Sequence, residues 1–107
     1  WSLYLGYNQV KDLSPISELP WLSSLELTRN GLEKVDALKT VRDLRYLDIR
    51  GNKITDLKPL LEAAEKDKAG DQRFAPFLRL YQEGNPFSED GKKTTEALKK
   101  TGVRIEG

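Results

Sequence analysis

Aliphatic side chains recur along this chain at a step of 22 residues, and that step restricts the fold more than any other feature. Leu3, Leu25 and Leu47 keep it, as do Leu5, Leu27 and Ile49, and then Asn8, Asn30 and Asn52. Val10, Leu32 and Ile54 follow, then Leu13, Val35 and Leu57, and then Ile16, Leu38 and Leu60. Pro15, Ala37 and Pro59 align between the last two columns, and Leu19 with Val41 and Leu22 with Leu44 complete the unit. Columns in such strict step mark one supersecondary unit used repeatedly. A fourth copy returns after a gap. Phe77, Leu80, Asn85 and Phe87 answer Leu44, Leu47, Asn52 and Ile54 at a step of 33, so the third repeat holds 11 residues more than the others. Gln82 stands where Leu5, Leu27 and Ile49 stood, the kind of departure expected of a terminal repeat.

Within a unit, Leu25 and Leu27 alternate with Ser24, Glu26 and Thr28, the period of a strand with one face buried. A strand this short cannot close a core by itself. Stacked coils line the leucines into a continuous apolar ladder, and the strands then form a parallel sheet with neighbours about 4.8 Å apart. The asparagine at each strand end has to turn the chain inward. Its amide is suited to satisfy backbone groups of adjacent turns that would otherwise be buried without partners.

Leu22-Ser-Ser-Leu25-Glu-Leu27-Thr-Arg-Asn30-Gly-Leu32 resembles the leucine-rich repeat, Leu-x-x-Leu-x-Leu-x-x-Asn-x-Leu. The period is similar to that of the short class found in internalins and in a phosphatase regulatory subunit. The resemblance spans residues 1–87. It implies an α/β leucine-rich-repeat solenoid, with a curved parallel sheet on the concave side and short 3₁₀ or helical segments on the convex side. It also implies that proteins bind on the concave face.

The convex wall reads from two related stretches. Asp12-Leu13-Ser14-Pro15-Ile16 and Asp56-Leu57-Lys58-Pro59-Leu60 each put a proline near the first turn of a helical segment, where its missing N–H costs little. The first two repeats have room for one 3₁₀-like turn. In the third, an insert near 61–76 extends this into a helix over 59–68, with Leu60, Leu61 and Ala64 inward. Glu62 and Lys66 stand outward at i,i+4, and Gly70 follows as the stop. Residues 71–73 read as a loop, and Phe74-Ala75-Pro76-Phe77 leads back to the last strand. The Asp67–Asp71 stretch lacks the ligand spacing of a calcium loop.

Residues 88–107 read as a C-terminal cap. A helix over Thr94–Thr101 turns Ala97 and Leu98 inward, Gly102 stops it, and Val103 and Ile105 pack back on the last coil. At the other end, Leu3 and Leu5 would lie on a bare edge strand, which points to further repeats or a neighbouring domain before them. A chain that opens Trp1-Ser2 and holds no Met reads as a piece of a longer one. Trp21, beside Pro20 between coils, is expected to pack at the convex edge.

Function is sought on the outward positions of the strands. By register these are Ser2, Tyr4, Gly6 and Tyr7, then Ser24, Glu26, Thr28 and Arg29, then Tyr46, Asp48 and Arg50, then Arg79, Tyr81 and Glu83. All four tyrosines of the chain fall there. Tyr and Arg are prominent in binding hot spots, and interspersed charges of both signs suit recognition of a protein. Tyr4, Glu26, Tyr46, Asp48, Arg50, Arg79 and Tyr81 are the candidate contact residues. Asn8, Asn30, Asn52 and Asn85 are candidate structural residues.

Composition removes the competing chemistries. The chain has neither Cys nor His, so zinc clusters, thiol nucleophiles, Ser-His-Asp triads and disulfides are excluded together. Lys and Arg number 18 against 17 Asp and Glu, so no overall field draws the chain to nucleic acid or an anionic membrane. No apolar run approaches the roughly 18 residues of a spanning helix. Glu26 and Asp48 are adjacent carboxylates, but Arg29 and Arg50 stand near enough in register to neutralise them. A solenoid face also offers no deep dry pocket. Gly51 and Gly84 precede the repeat asparagines and serve the turn rather than a phosphate loop. Lys92, Lys93, Lys99 and Lys100 are interleaved with Glu89, Asp90 and Glu96, as on a solubilising surface. The expectation is a non-catalytic protein-binding module without metal or cofactor. The alternatives are a structural spacer or cap, and a segment regulating a neighbouring domain in cis. Absence of Cys together with the internalin-like period leans toward a bacterial protein, surface-attached or secreted.

Overall fold

The computed structural model describes residues 2–6, 9, 11, 13–19, 21–70, 72 and 74–106. Asn8, Tyr7 and Val10 lie outside them, as do Trp1, Asp12, Pro20, Asp71, Arg73 and Gly107. Five short strands form one parallel sheet in chain order: β1 (Ser2–Tyr4), β2 (Ser24–Glu26), β3 (Tyr46–Asp48), β4 (Arg79–Tyr81) and β5 (Arg104–Ile105). Leu3 stands beside Leu25, Leu25 beside Leu47, Leu47 beside Leu80 and Leu80 beside Ile105. The step of 22 and the later step of 33 therefore become one unbroken row of side chains, turned inward.

Behind the sheet the coils return through 3₁₀ turns at Ser14–Glu18, Asp36–Thr40 and Ala75–Phe77, and through helix α1 (Lys58–Ala69). The core lies between these two walls. Leu25, Leu27, Leu32, Leu38, Leu44, Leu47, Ile49, Ile54, Leu57 and Leu60 are each fully buried. Strands sit about 4.8 Å apart and packed helices about 8–10 Å apart, so widening of the outer wall at α1 bends the sheet concave toward solvent.

At the three asparagine positions described, the side-chain amide bonds the backbone of neighbouring coils. The Asn30 side-chain amide donates to the carbonyls of Leu5 and Thr28, at 2.8 and 3.2 Å. Asn52 donates to Leu27 and Ile49, both at 2.9 Å, and its oxygen accepts from the amides of Asn30 and Leu32. Asn85 donates to Ile49 and Gln82 and accepts from Ile54 N–H. Each amide thus joins a strand end to the coil before it. The residue preceding the asparagine is left-handed in every described coil: Arg29 at φ 53°, Gly51 at 71° and Gly84 at 79°. A Cβ on Gly84 would stand 3.1 Å from the backbone nitrogen of Gly51, so glycine there serves both the turn and the close approach of coils.

The structure revises four local expectations. The match of Phe77 to the buried Leu44 implies an inward side chain, but Phe77 is 53% exposed, while Leu78 is fully buried. The corner leading into β4 is one residue shorter than the one leading into β3, so Leu78 takes the inward place and Phe74 fills the space behind it. In α1 the inward residues are Leu60, Ala63 and Ala64, and Leu61 is only half-buried. Trp21 does not bury at the convex edge but keeps 47% of its surface exposed.

The fourth revision concerns the segment over 88–106. Its helix, α2, runs over Glu89–Lys100, five residues earlier than Thr94, and turns Gly91, Thr94, Thr95 and Leu98 inward, with Ala97 half-buried. Ser88 starts it, its hydroxyl accepting from Gly91 N–H at 3.0 Å. Glu89 and Asp90 in the first turn, and Lys99 and Lys100 in the last, complement the helix dipole. Thr94 and Thr95 tolerate burial because their hydroxyls donate to the carbonyls of Asp90 and Gly91. Gln82 has its reason here, since its side-chain oxygen lies 3.3 Å from the Thr95 hydroxyl and shares that one O–H with the Gly91 carbonyl. The terminal coil meets a polar helix face there, where inner coils meet leucine. After Gly102 the chain adds β5, with Arg104 and Glu106 N–H groups donating to the carbonyls of Leu78 and Leu80.

Candidate functional site

Alternation along each strand sends the neighbours of the inward leucines to the open face. Register aligns them in two rows. Ser2, Ser24, Tyr46, Arg79 and Arg104 form one, and Tyr4, Glu26, Asp48 and Tyr81 form the other. Tyr4, Glu26, Tyr46, Asp48, Arg50, Arg79 and Tyr81 thus share one face, with Arg50 just past the end of β3. Asn30, Asn52 and Asn85 sit in the turns beneath it.

Tyr46, Asp48, Arg50 and Tyr81 form a connected cluster. Arg50 donates to both carboxylate oxygens of Asp48, Nε to Oδ1 at 2.9 Å and Nη2 to Oδ2 at 2.7 Å. Its backbone N–H adds a third contact to Oδ1, and the Tyr46 hydroxyl donates to Oδ2 at 3.3 Å. The Arg50 guanidinium lies 5.2 Å from the centre of the Tyr81 ring, and the Tyr46 and Tyr81 rings are 5.3 Å apart, tilted by 48°. Such tilted pairs and guanidinium–ring contacts are both favourable geometries. Burial, then the Asp48 charge and its hydrogen bond, push the Tyr46 phenol above its ordinary value. The hydrogen bond and charge of Asp48 hold the Arg50 guanidinium more firmly protonated still.

Asp48 is only 2% exposed and its carboxylate is fully engaged. Asp48 thereby holds Arg50 and Tyr46 in position on the face. Glu26 is also held, accepting from Gly6 N–H at 2.7 Å and from the Thr28 hydroxyl. These attachments occupy the two carboxylates separately, so they do not form a shared acid–base pair. Tyr4 is 64% exposed, and Arg79 is exposed in the first row.

Several face residues escaped sequence reasoning. Arg104 and Glu106 join through β5, whose two-residue length carries no alternation to detect. Phe77, exposed at the end of the last 3₁₀ turn and just ahead of β4, has the Arg45 guanidinium 5.1 Å from its ring centre. On α2, Lys92 and Lys99 pair with Glu89 and Glu96 one turn away, at 3.8 and 3.2 Å, consistent with a solvated surface. Asp67 accepts from the backbone N–H groups of Phe74 and Ala75, so it closes the insert. Among the described residues no group of acidic side chains is arranged to hold a metal ion, and no helix is long and apolar enough to cross a membrane.

Parallel strands stacked in register, asparagine-closed turns and short convex segments define a solenoid repeat protein. A family model described as Leucine Rich repeat matches residues 42–57, the coil holding Leu44, Leu47, Ile49, Asn52 and Ile54. Over 99 residues the chain is 30% identical to leucine-rich repeat-containing protein 23 of Bos taurus, which covers 91% of this chain and 26% of that relative. The chain spans about a quarter of the length of the curated relative it matches. It is a leucine-rich-repeat protein.

Proposed function

We propose that this chain is a non-catalytic protein-binding module and that its partner docks on the open, concave face of the sheet. Leucine-rich-repeat domains generally mediate protein–protein interaction, which supports this class of activity. The observation that carries the choice of face is the Asp48–Arg50 pair. A carboxylate with 2% of its side chain in solvent holds an arginine with 49% of its own exposed. Buried support for an exposed guanidinium fixes its direction before a partner arrives and lowers the ordering cost of association. Tyr46 and Tyr81 flank it as rigid aromatic anchors of the kind enriched in hot spots. Tyr4, Glu26 and Arg79 extend the contact along the two rows. We assign the array to the short, internalin-like class on its 22-residue step.

The test is affinity capture of a partner by the intact chain and by the combined variant Tyr46→Ala, Arg50→Ala, Tyr81→Ala. Loss of capture by about tenfold or more supports the face. A spacer without a ligand of its own instead predicts that the face tolerates substitution as freely as the convex side. Retention of the partner by the combined variant would refute the assignment.

A further inference from the structure

Resting on the reading of the sheet face as a docking surface, we infer that its partner presents an acidic segment, whose Asp or Glu side chains seat on the arginines at the C-terminal half of that face. Register puts Arg79 directly beside Arg104 on neighbouring strands, with Tyr46 next in the same row. Like charges directly opposite across strands repel, so this pair opposes the fold that contains it. Among the described residues no carboxylate pairs with Arg79, which is exposed. Arg104 has only a loose neighbour in Glu106, Nε to Oε1 at 3.7 Å, and keeps 63% of its side chain in solvent.

Arg45 extends the patch along the strand starts. It is exposed, and its guanidinium lies against the ring of Phe77, itself 53% exposed. The patch therefore combines three arginines with an accessible apolar ring. By contrast the acidic side chains of the two rows are already occupied: Asp48 is buried on Arg50, and Glu26 accepts from Gly6 and Thr28. Beside the exposed Glu83 and Glu106, what this half of the face offers a visitor is a set of planar cations and an aromatic surface. That combination suits carboxylates, which arginine binds with two parallel hydrogen bonds, followed by a neighbouring apolar side chain on Phe77. A bound carboxylate between Arg79 and Arg104 also removes the repulsion that the empty face carries.

A random peptide library displayed on phage and selected against the intact chain tests this. Recovered peptides should be rich in Asp and Glu. A synthetic copy of the most enriched one should bind about tenfold or more weakly to Arg79→Glu/Arg104→Glu, and weaken as salt rises. Arg79→Gln/Arg104→Gln, which removes charge without reversing it, should give a smaller loss, and urea midpoints no lower than that of the intact chain in both variants show that the fold persists. Recovered peptides that lack acidic residues but are lost on Tyr46→Ala/Tyr81→Ala would overturn the acidic partner and leave the face standing. Peptides indifferent to all of these substitutions, or none recovered, would overturn both. Binding of a thymidine oligonucleotide that Arg79→Glu/Arg104→Glu abolishes would assign the patch to nucleic acid and overturn the inference.

Discussion

Asn52 holds two coils together through one amide. Its nitrogen donates to Leu27 and Ile49, and its oxygen accepts from Asn30 and Leu32 N–H groups, all within 3.1 Å. Replacing it with alanine leaves several buried backbone groups without partners, each of which costs about 1–3 kcal/mol. Asn52→Ala should therefore destabilise by about 3 kcal/mol or more, read as a lower urea midpoint. Asn85→Ala, in a half-buried turn, should cost less. This role was legible because a polar residue recurring within apolar columns has few other uses. Tyr46 shows the opposite case. Its place on the open face followed from alternation, but its bond to Asp48 depends on side-chain directions that spacing does not carry. Because the folded state raises the Tyr46 value above about 10, it retains the proton more tightly than the unfolded chain. The associated stability is complete below about pH 10 and is lost as pH rises through the raised value. Equilibrium unfolding across that range should show this decline, and Tyr46→Phe should flatten it.

Among the elements, α2 shows how contact rather than periodicity decides a boundary. The expectation over Thr94–Thr101 rested on apolar spacing, which begins late because the first turn docks through backbone. Ser88 N–H donates to the Thr55 carbonyl at 3.0 Å, and a Cβ at Gly91 would stand 2.0 Å from that same oxygen. Gly91→Ala improves intrinsic helix propensity by about 1 kcal/mol, yet it must push the helix off the Thr55 loop. Steric displacement of this kind costs about 1–3 kcal/mol and should win. Thermal unfolding of Gly91→Ala should show a lower midpoint, whereas Lys93→Ala at an exposed position of the same helix should leave it nearly unchanged. The convex wall was more legible. Prolines at 15 and 59 mark the starts of the first 3₁₀ turn and α1, and the 11 additional residues supply the length that turns one short segment into a helix of 12.

At the scale of the whole molecule, the repeat predicted the ladder because stacking is the way such short strands bury their leucines. It did not predict β5, since two residues after a glycine stop carry no recurrent column. Nor did it predict the arginine row that β5 completes with Arg79. The organisation of the face depends on the ladder, because a slip of one residue in any strand would exchange the inward leucines with the outward tyrosines and arginines. The register is therefore the claim on which the rest stands. Its most direct test is the detection, by nuclear magnetic resonance, of scalar couplings across individual backbone hydrogen bonds. Leu27 N–H should couple to the Asp48 carbonyl carbon, Ile49 N–H to that of Tyr81 and Glu106 N–H to that of Leu80. Couplings to residues one place removed, or to partners in an antiparallel order, would contradict the account.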